Sequence, residues 1–420
     1  MVGASVGADH ALGSRSRVAF SRVTAMPNFK QIHNVEDLRR HAAAYLPKPV
    51  FDFIDGGAEG EAALRNNREV FDRIRFRPRT VADVAVRRID TTLLGKPAAA
   101  PIAIAPMGGL SSFAPHAEVS MAKACAAAGI PYCLSTAAGI SIEDLRAAVP
   151  EARLWFQLYV FKDDALNRAL VERAHAAGYD ALMITTDTHV APKRERDRRN
   201  GFSLSLDKTP RNIAHVLSRP RWIWDVMIKA GLPSMPVLSP HAPEIVDNIS
   251  ATRFFVQNRR YGFDYAHLKE LRRHWKGKLL VKGVMRADEA EQVAACGADG
   301  VVMSNHGGRN LEYAAAPLEM LPEVVDAVGK RLHVLVDSGF RRGTDVVKAL
   351  ALGAEGVLMG RPAAFAVAAG GEAGVGHLIG LTKDDIDRTL GYLGCTALDQ
   401  LGRDHLLVDR APWGRNAPGL

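Results

Sequence analysis

Eight short apolar runs recur between residues 100 and 361, each ending in polar residues or glycine and each followed by an amphipathic stretch. They lie at 102–106, 131–135, 153–160, 181–187, 278–283, 300–306, 333–339 and 356–361. Between them run helix-period segments, among them 118–129, 141–149, 164–178, 288–297 and 344–353, several opening on Ser, Asp or Thr and closing on Gly, as capped helices do. Continuously apolar strands alternating with helices predict a parallel sheet covered on both faces. Eight such units predict an α/β fold closed on itself, a (β/α)8 TIM barrel. A barrel of this kind takes about 250 residues plus insertions, so a chain of 420 requires no second domain. With 47% apolar and 24% charged residues, a disordered or fibrous chain is excluded.

The expected segmentation follows the repeats. Residues 1–25 are rich in Ser, Gly, Ala and Arg without apolar period and read as a disordered leader or a misassigned start, since Met26 immediately precedes the first patterned residues. Residues 26–100 form an N-terminal helical cap, 101–405 the barrel with a basic insertion at 193–250, and 406–420 a C-terminal tail. No run approaches the ~18 apolar residues of a membrane span. Cys125, Cys133, Cys296 and Cys395 form no Cys-x-x-Cys or zinc-like pattern, so they read as buried thiols and no metal site is expected.

In a barrel, residues at the carboxyl ends of the strands surround one mouth. Taken in order these are Pro106-Met107-Gly108, Ser135, Gln157 and Tyr159, Thr185 and Asp187, Lys282, Ser304 and His306, Asp337, and Gly360-Arg361, nearly all polar, charged or glycine. The last two strand-to-helix loops carry Asp337-Ser338-Gly339-Phe340-Arg341 and Met359-Gly360-Arg361. Glycine lets backbone N–H groups approach an anion and arginine supplies a charged fork, so the ligand should bear a phosphate. Isomerases, aldolases and flavoenzymes share that signal, which leaves the chemistry open. His306 in such a mouth is placed to act as a base near neutral pH, and Arg194 with Arg309 can clamp a carboxylate. Lys282 would stabilise developing negative charge on a neighbouring ring system. His33, His41, His175, His267 and His274 fall away from the strand ends and read as surface or core residues.

At these residues the chain resembles the FMN-dependent 2-hydroxy-acid oxidising enzymes, a family that includes glycolate oxidase and the flavin-type lactate and mandelate dehydrogenases. The matching stretches are FDFIDGGAEGE (51–61), STAAGISIEDL (135–145), WFQLYV (155–160), TTDT (185–188), RERDRRNGF (194–202), LLVKGV (279–284), SNHGGRNL (304–311), DSGFRRGTDVVKALALGA (337–354) and GRP (360–362). The resemblance spans roughly residues 29–405 and looks closest to the mandelate dehydrogenase branch. It implies that His306 removes a proton from an L-2-hydroxy acid, with Asp187 on the far imidazole nitrogen. Arg194 and Arg309 would bind the substrate carboxylate and Tyr159 its hydroxyl side. FMN would rest on Pro106, Met107 and Gly108, with Ser135, Gln157, Thr185 and Lys282 at the ring and Ser304, Asp337, Gly339, Arg341, Gly360 and Arg361 at the ribityl phosphate. A homotetramer is likewise implied.

Two departures bear on the substrate. Phe53 stands where many members have a Tyr that bonds the substrate carboxylate, and losing that hydroxyl removes a charge-assisted hydrogen bond worth about 1.5–3 kcal/mol. Ala137 stands where short-chain members carry Trp, which opens space above the substrate. Together they favour a bulky or aromatic, mandelate-like side chain, with lactate also open.

The net charge of +8 concentrates in two places. Residues 1–25 carry three Arg against one Asp, and 193–240 carry ten Lys and Arg against four acids, which leaves the remainder neutral. Within the insertion, 212–229 mixes Trp222, Trp224, Ile, Val and Met with basic residues. Two readings stand open: an interfacial segment that enters a lipid headgroup boundary, and a lid packed on the mouth or on a neighbouring subunit. No nucleic-acid motif accompanies the charge. In the mandelate dehydrogenase branch the corresponding loop is membrane-associated and electrons leave to a quinone, which implies a cytoplasmic enzyme peripheral to the inner face of the cell membrane and contacting it through 203–240. The alternatives are a soluble oxidase producing hydrogen peroxide, another FMN barrel oxidoreductase, a non-redox phosphate-binding isomerase, and a lipid-surface scaffold.

Overall fold

The computed structural model describes residues 27–202, 206–231, 235–238 and 248–408; the leader at 1–25, the end of the tail and parts of the insertion lie outside the described residues. Eight parallel strands close into a barrel in chain order: β1 (Ile102–Ile104), β2 (Tyr132–Ser135), β3 (Leu154–Leu158), β4 (Ala181–Thr185), β5 (Lys278–Val284), β6 (Gly300–Met303), β7 (His333–Val336) and β8 (Gly356–Met359), with β8 returning to pair with β1. Seven fall within the predicted runs, and β5 runs one residue past its own, to Val284. The long insertion follows β4, as expected.

Strand side chains alternate between two environments. Ile102, Tyr132, Leu134, Phe156, Leu182, Val301 and Val334 pack outward against the helices in the main core. Ala103, Cys133, Trp155, Met183, Leu280, Val302, Leu335 and Leu358 fill the barrel interior. Continuing that inner row by two residues gives Ala105, Ser135, Gln157, Thr185, Lys282, Ser304, Asp337 and Gly360. The site is therefore the next layer of the barrel's own packing, written in polar residues at all positions but Ala105 and Gly360.

The N-terminal segment supplies more than the helical cap expected. Helices Val35–Tyr45, Lys48–Asp55 and Ala62–Asp72 precede a hairpin of Thr91–Leu93 and Lys96–Ala98, whose Leu93, Leu94 and Ala98 join the interior cluster and close the barrel floor. The assignment of 406–420 as a tail needs correction: Leu406–Val408 pairs antiparallel with Ile74–Phe76. All four cysteines are free and buried. The expectation that nothing is long and apolar enough to span a membrane also changes, because Arg361–Leu393 meets that measure by length and composition. Most of its apolar stretch is nevertheless buried, against Val35–Tyr45 and Ala117–Ala128, and non-helical Gly370 and Gly371 break it in two.

Candidate active site

One cavity of about 330 Å³ opens at the carboxyl ends of the strands. Pro106, Met107, Gly108, Ser135, Ala137, Gln157, Tyr159, Thr185 and Phe53 line it, together with Lys282, Arg194, His306, Arg309, Asp337, Gly339, Arg341, Gly360 and Arg361. Asp187 and Ser304 stand behind this wall and reach it through their neighbours.

The polar layer is linked by hydrogen bonds into two arcs. Ser135 Oγ donates to Gln157 Oε1 at 3.0 Å, and Gln157 Nε2 donates to Thr185 Oγ1 at 2.9 Å. On the other arc Lys282 Nζ donates to Ser304 Oγ at 2.7 Å and pairs with Asp337 at 3.0 Å. Between Lys282 and Val284 the β5–β6 register shifts by a bulge, a device that re-aims a side chain beside a site. Gly283 carries it at φ +109°, and a Cβ there would meet the Asp187 Cβ at 2.5 Å, so only glycine lets the two strand ends approach. Gly108 plays a similar part in the loop after β1: a Cβ would meet that of Ala137 at 2.8 Å.

His306 Nδ1 lies 3.0 and 3.1 Å from the two Asp187 carboxylate oxygens. An ionised carboxylate only accepts, so Nδ1 carries the proton and Nε2 is left to accept one. His306 has φ +56°, a left-handed backbone unusual outside glycine, and its own N–H donates to Ser304 Oγ at 3.0 Å. Burial holds the imidazole below the ordinary histidine range although Asp187 pulls it upward. Burial pushes the Asp187 carboxyl up, but His306 and Lys282 outweigh it and the group ends below its ordinary value. Burial acts to neutralise Lys282, while Asp337 and Asp187 prevail and keep it a cation.

The arginines differ from Lys282 in that nearby acids act on them only from beyond ion-pair distance. Among the described residues none of Arg194, Arg309, Arg341 and Arg361 forms an ion pair. Arg309 Nη1 donates to the carbonyls of Phe53 at 2.6 Å and Gly56 at 2.9 Å, and its Cζ lies 4.9 Å from the Phe53 ring centroid. Phe53 thus keeps the arginine in place through its backbone and ring, although it lacks the phenol. Arg194 Nε donates to the Arg309 carbonyl at 3.2 Å. Burial and the neighbouring guanidiniums push Arg309 well below its ordinary value. The same causes push Arg341 down to about 9. Arg361 falls to about 10, through burial against partial support from Asp55.

The insertion contributes residues that sequence reasoning missed. Met235 packs on Ala137 beside Phe255, so the space opened at Ala137 is roofed by the insertion. Phe255, Val256, Arg259 and Tyr261 also line the cavity, as does Phe113 from the loop after β1. The two tryptophans divide: Trp222 is buried, its Nε1 donating to the Ser112 carbonyl at 2.9 Å, whereas Trp224 is 53% exposed. Ile213, Leu217, Met227 and Ile228 are exposed with it. The insertion is therefore both a lid anchored at the mouth and an apolar outer face edged by Arg211 and Lys229.

The family model described as FMN-dependent dehydrogenase matches residues 42–408. The chain is 41% identical over 377 residues to the (S)-mandelate dehydrogenase of Pseudomonas putida, covering 90% of this chain and 94% of that protein. It is 38% identical over 385 residues to an L-lactate dehydrogenase of Caulobacter vibrioides, covering 91% of this chain and 99% of the other. A crystal structure described as the monotopic membrane protein (S)-mandelate dehydrogenase superposes with a TM-score of 0.87 at 40% identity, over 90% of this chain and 100% of that one.

Proposed function

Because the chain belongs to the FMN-dependent dehydrogenase family, we propose that it oxidises an L-2-hydroxy acid to the 2-oxo acid with His306 as the base. The observation that carries this reading is the His306–Asp187 pair in one cavity with the unpaired guanidiniums of Arg194 and Arg309. The residues also fit the cofactor. Arg341 and Arg361 are half-buried cations that press on each other, nearby acids support them only in part, neither forms an ion pair among the described residues, and a phosphate would relieve them. They would hold the phosphate end with Ser304, Asp337, Gly339 and Gly360, while Pro106, Met107, Gly108, Ser135, Gln157, Thr185 and Lys282 would hold the ring.

Bound FMN supplies the two-electron acceptor. The protein's own residues do the rest. Arg194 and Arg309 grip the substrate carboxylate and orient the hydroxyl-bearing carbon, with Tyr159 on the hydroxyl side. His306 takes the proton released from the hydroxyl or the α-carbon at Nε2. Asp187 then faces an imidazolium at 3.0 Å and stabilises it. Lys282, kept cationic by Asp337, would hold the ring and favour negative charge on it. The roof of Met235 and Phe255 over Ala137 supports a bulky or aromatic side chain. The holoprotein, yellow from its flavin, should bleach anaerobically on addition of a reactive L-2-hydroxy acid from a panel of glycolate, lactate, mandelate and longer acids. A folded, FMN-loaded protein that none of them bleaches would sink the reading.

The exposed Leu217 at 66%, Trp224 at 53% and Ile228 at 60%, next to Arg211 and Lys229, support a membrane surface as partner and a peripheral site on the inner face of the cell membrane. A quinone would then receive the electrons, and the homotetramer implied by resemblance belongs to the same reading. Replacing Leu217 and Trp224 with Glu should lower co-sedimentation with anionic vesicles at least about tenfold, while turnover with a soluble dye acceptor persists. A wild type indifferent to vesicles that releases peroxide stoichiometrically would instead establish the soluble oxidase.

A further inference from the structure

The return leg of the insertion is clamped beside the chain that leaves β3. Lys162 N–H donates to the Asn258 carbonyl at 2.8 Å and Arg260 N–H to the Val160 carbonyl at 2.9 Å, with Phe161 and Arg259 bridged antiparallel between them. Extended backbone sends adjacent side chains to opposite sides, and the two arginines there meet different fates. Arg260 is saturated: it donates to the carbonyls of Phe161 at 3.1 Å and Lys162 at 2.7 Å and to Asp164 at 2.8 Å, and it contacts His267 at 2.8 Å. Arg259 lines the active-site cavity and, among the described residues, makes no hydrogen bond or ion pair. Its Cζ lies 4.3 Å from the Tyr159 ring centroid and 5.8 Å from that of Phe255. Burial lowers its pKa, with Tyr159, Tyr261 and Asp187 only partly restoring it.

The other charges facing the cavity are spoken for under the reading above, on which this inference rests. His306 has Asp187, Lys282 has Asp337, Arg341 and Arg361 would take the phosphate, and Arg194 and Arg309 the substrate carboxylate. Arg259 is the cation left over. A guanidinium stacked on an aromatic ring uses its face and keeps its N–H edge free for a planar, two-oxygen acceptor. That edge is carried by the same insertion whose Met235 and Phe255 roof the space above Ala137, where the substrate side chain belongs.

We propose that Arg259 binds a second carboxylate at the far end of the substrate side chain, so that the favoured substrates are 2-hydroxy dicarboxylic acids, aliphatic or aryl. Matched 2-oxo acids, bound to the FMN-loaded protein and read by perturbation of the flavin absorbance, test recognition without turnover. The probes are 2-oxoglutarate against 2-oxohexanoate, and 4-carboxyphenylglyoxylate against phenylglyoxylate. In the wild type at least one diacid should bind about tenfold or more tightly than its monoacid partner, the ratio expected of one added charge-assisted fork. Arg259→Met should bring that ratio close to one, and Arg259→Lys should retain part of it. Equal wild-type affinity within both pairs, or a Met variant that weakens diacid and monoacid by the same factor, would overturn the proposal, the second by showing that Arg259 acts only through Tyr159 or the shared carboxylate. Anaerobic bleaching by the corresponding hydroxy acids is followed in parallel. Bleaching without any diacid preference removes this inference alone, whereas an Arg259-dependent preference without bleaching by any hydroxy acid removes the reaction and leaves the recognition standing.

Discussion

Replacing His306 with alanine should leave FMN bound and slow its anaerobic reduction by about 10⁴-fold, the upper range for losing a positioned general base. No other group in the cavity is fitted to substitute. Lys282 is held as a cation, the arginines cannot accept a proton, and burial raises the Tyr159 hydroxyl above its ordinary value so that it stays protonated. The pH profile provides a second readout. His306 must be neutral to act, and burial holds its pKa below the ordinary 6.5, so kcat/KM, which reports the free enzyme, should stay on its plateau below that pH before falling. Asp187→Asn removes a group that raises the imidazole pKa. The acid limb should therefore move to still lower pH, while the plateau itself drops because the imidazolium loses its partner. Stopped-flow reduction across pH measures both, and an acid limb that moves upward in the Asn variant would overturn this account of the pair.

Arg309→Met should raise KM and lower kcat together, with a loss in kcat/KM of about 10²–10³, equivalent to about 3–4 kcal/mol of transition-state binding. The magnitude follows from the setting. Arg309 is half-buried, pressed by Arg194 and Arg361 with only partial support from Asp197, and its side chain is bonded only to carbonyls, so an incoming carboxylate meets a cation with no ion-pair partner among the described residues. Arg309→Lys should recover little, because an ammonium cannot reproduce the fork that spans the Phe53 and Gly56 carbonyls while facing the ligand. Steady-state kinetics on the best acid of the panel, with flavin content as the control for folding, decides it. Unchanged kinetics on every acid would remove Arg309 from the substrate site.

Much of this site was readable in the chain because barrel strands are periodic. Each inward apolar residue, Cys133, Trp155, Met183, Leu280, Val302 and Leu335, is followed two positions on by a polar residue at the cavity or directly behind its wall, so locating the strands also located Ser135, Gln157, Thr185, Lys282, Ser304 and Asp337. Local pattern said nothing of partners distant in sequence. Arg259 and Arg260 look alike as a dipeptide, and only the bridge to Phe161 sends one to the cavity and the other to Asp164. Trp222 and Trp224 likewise share one amphipathic stretch, and the Ser112 carbonyl decides which turns inward. The hairpin at Thr91–Ala98 and the strand at Leu406–Val408 are three-residue pairings, too short to show a period.

The antiparallel pairing of Ile74–Phe76 with Leu406–Val408 sets a schedule for biosynthesis. The side of the cavity proposed to take the phosphate straddles the closure of β8 onto β1, and Arg361 donates to the carbonyls of Ile54 and Gly56, about three hundred residues upstream. Contacts of such sequence separation form only after the intervening chain has left the ribosome. A nascent chain that has delivered Ile54, Gly56 and β1 still lacks Arg341, Arg361 and the strand that clasps residue 74 to 408. The residues proposed to hold the cofactor's phosphate are thus brought together only late in synthesis, once β8 and Arg361 have joined the segment that carries Ile54 and Gly56.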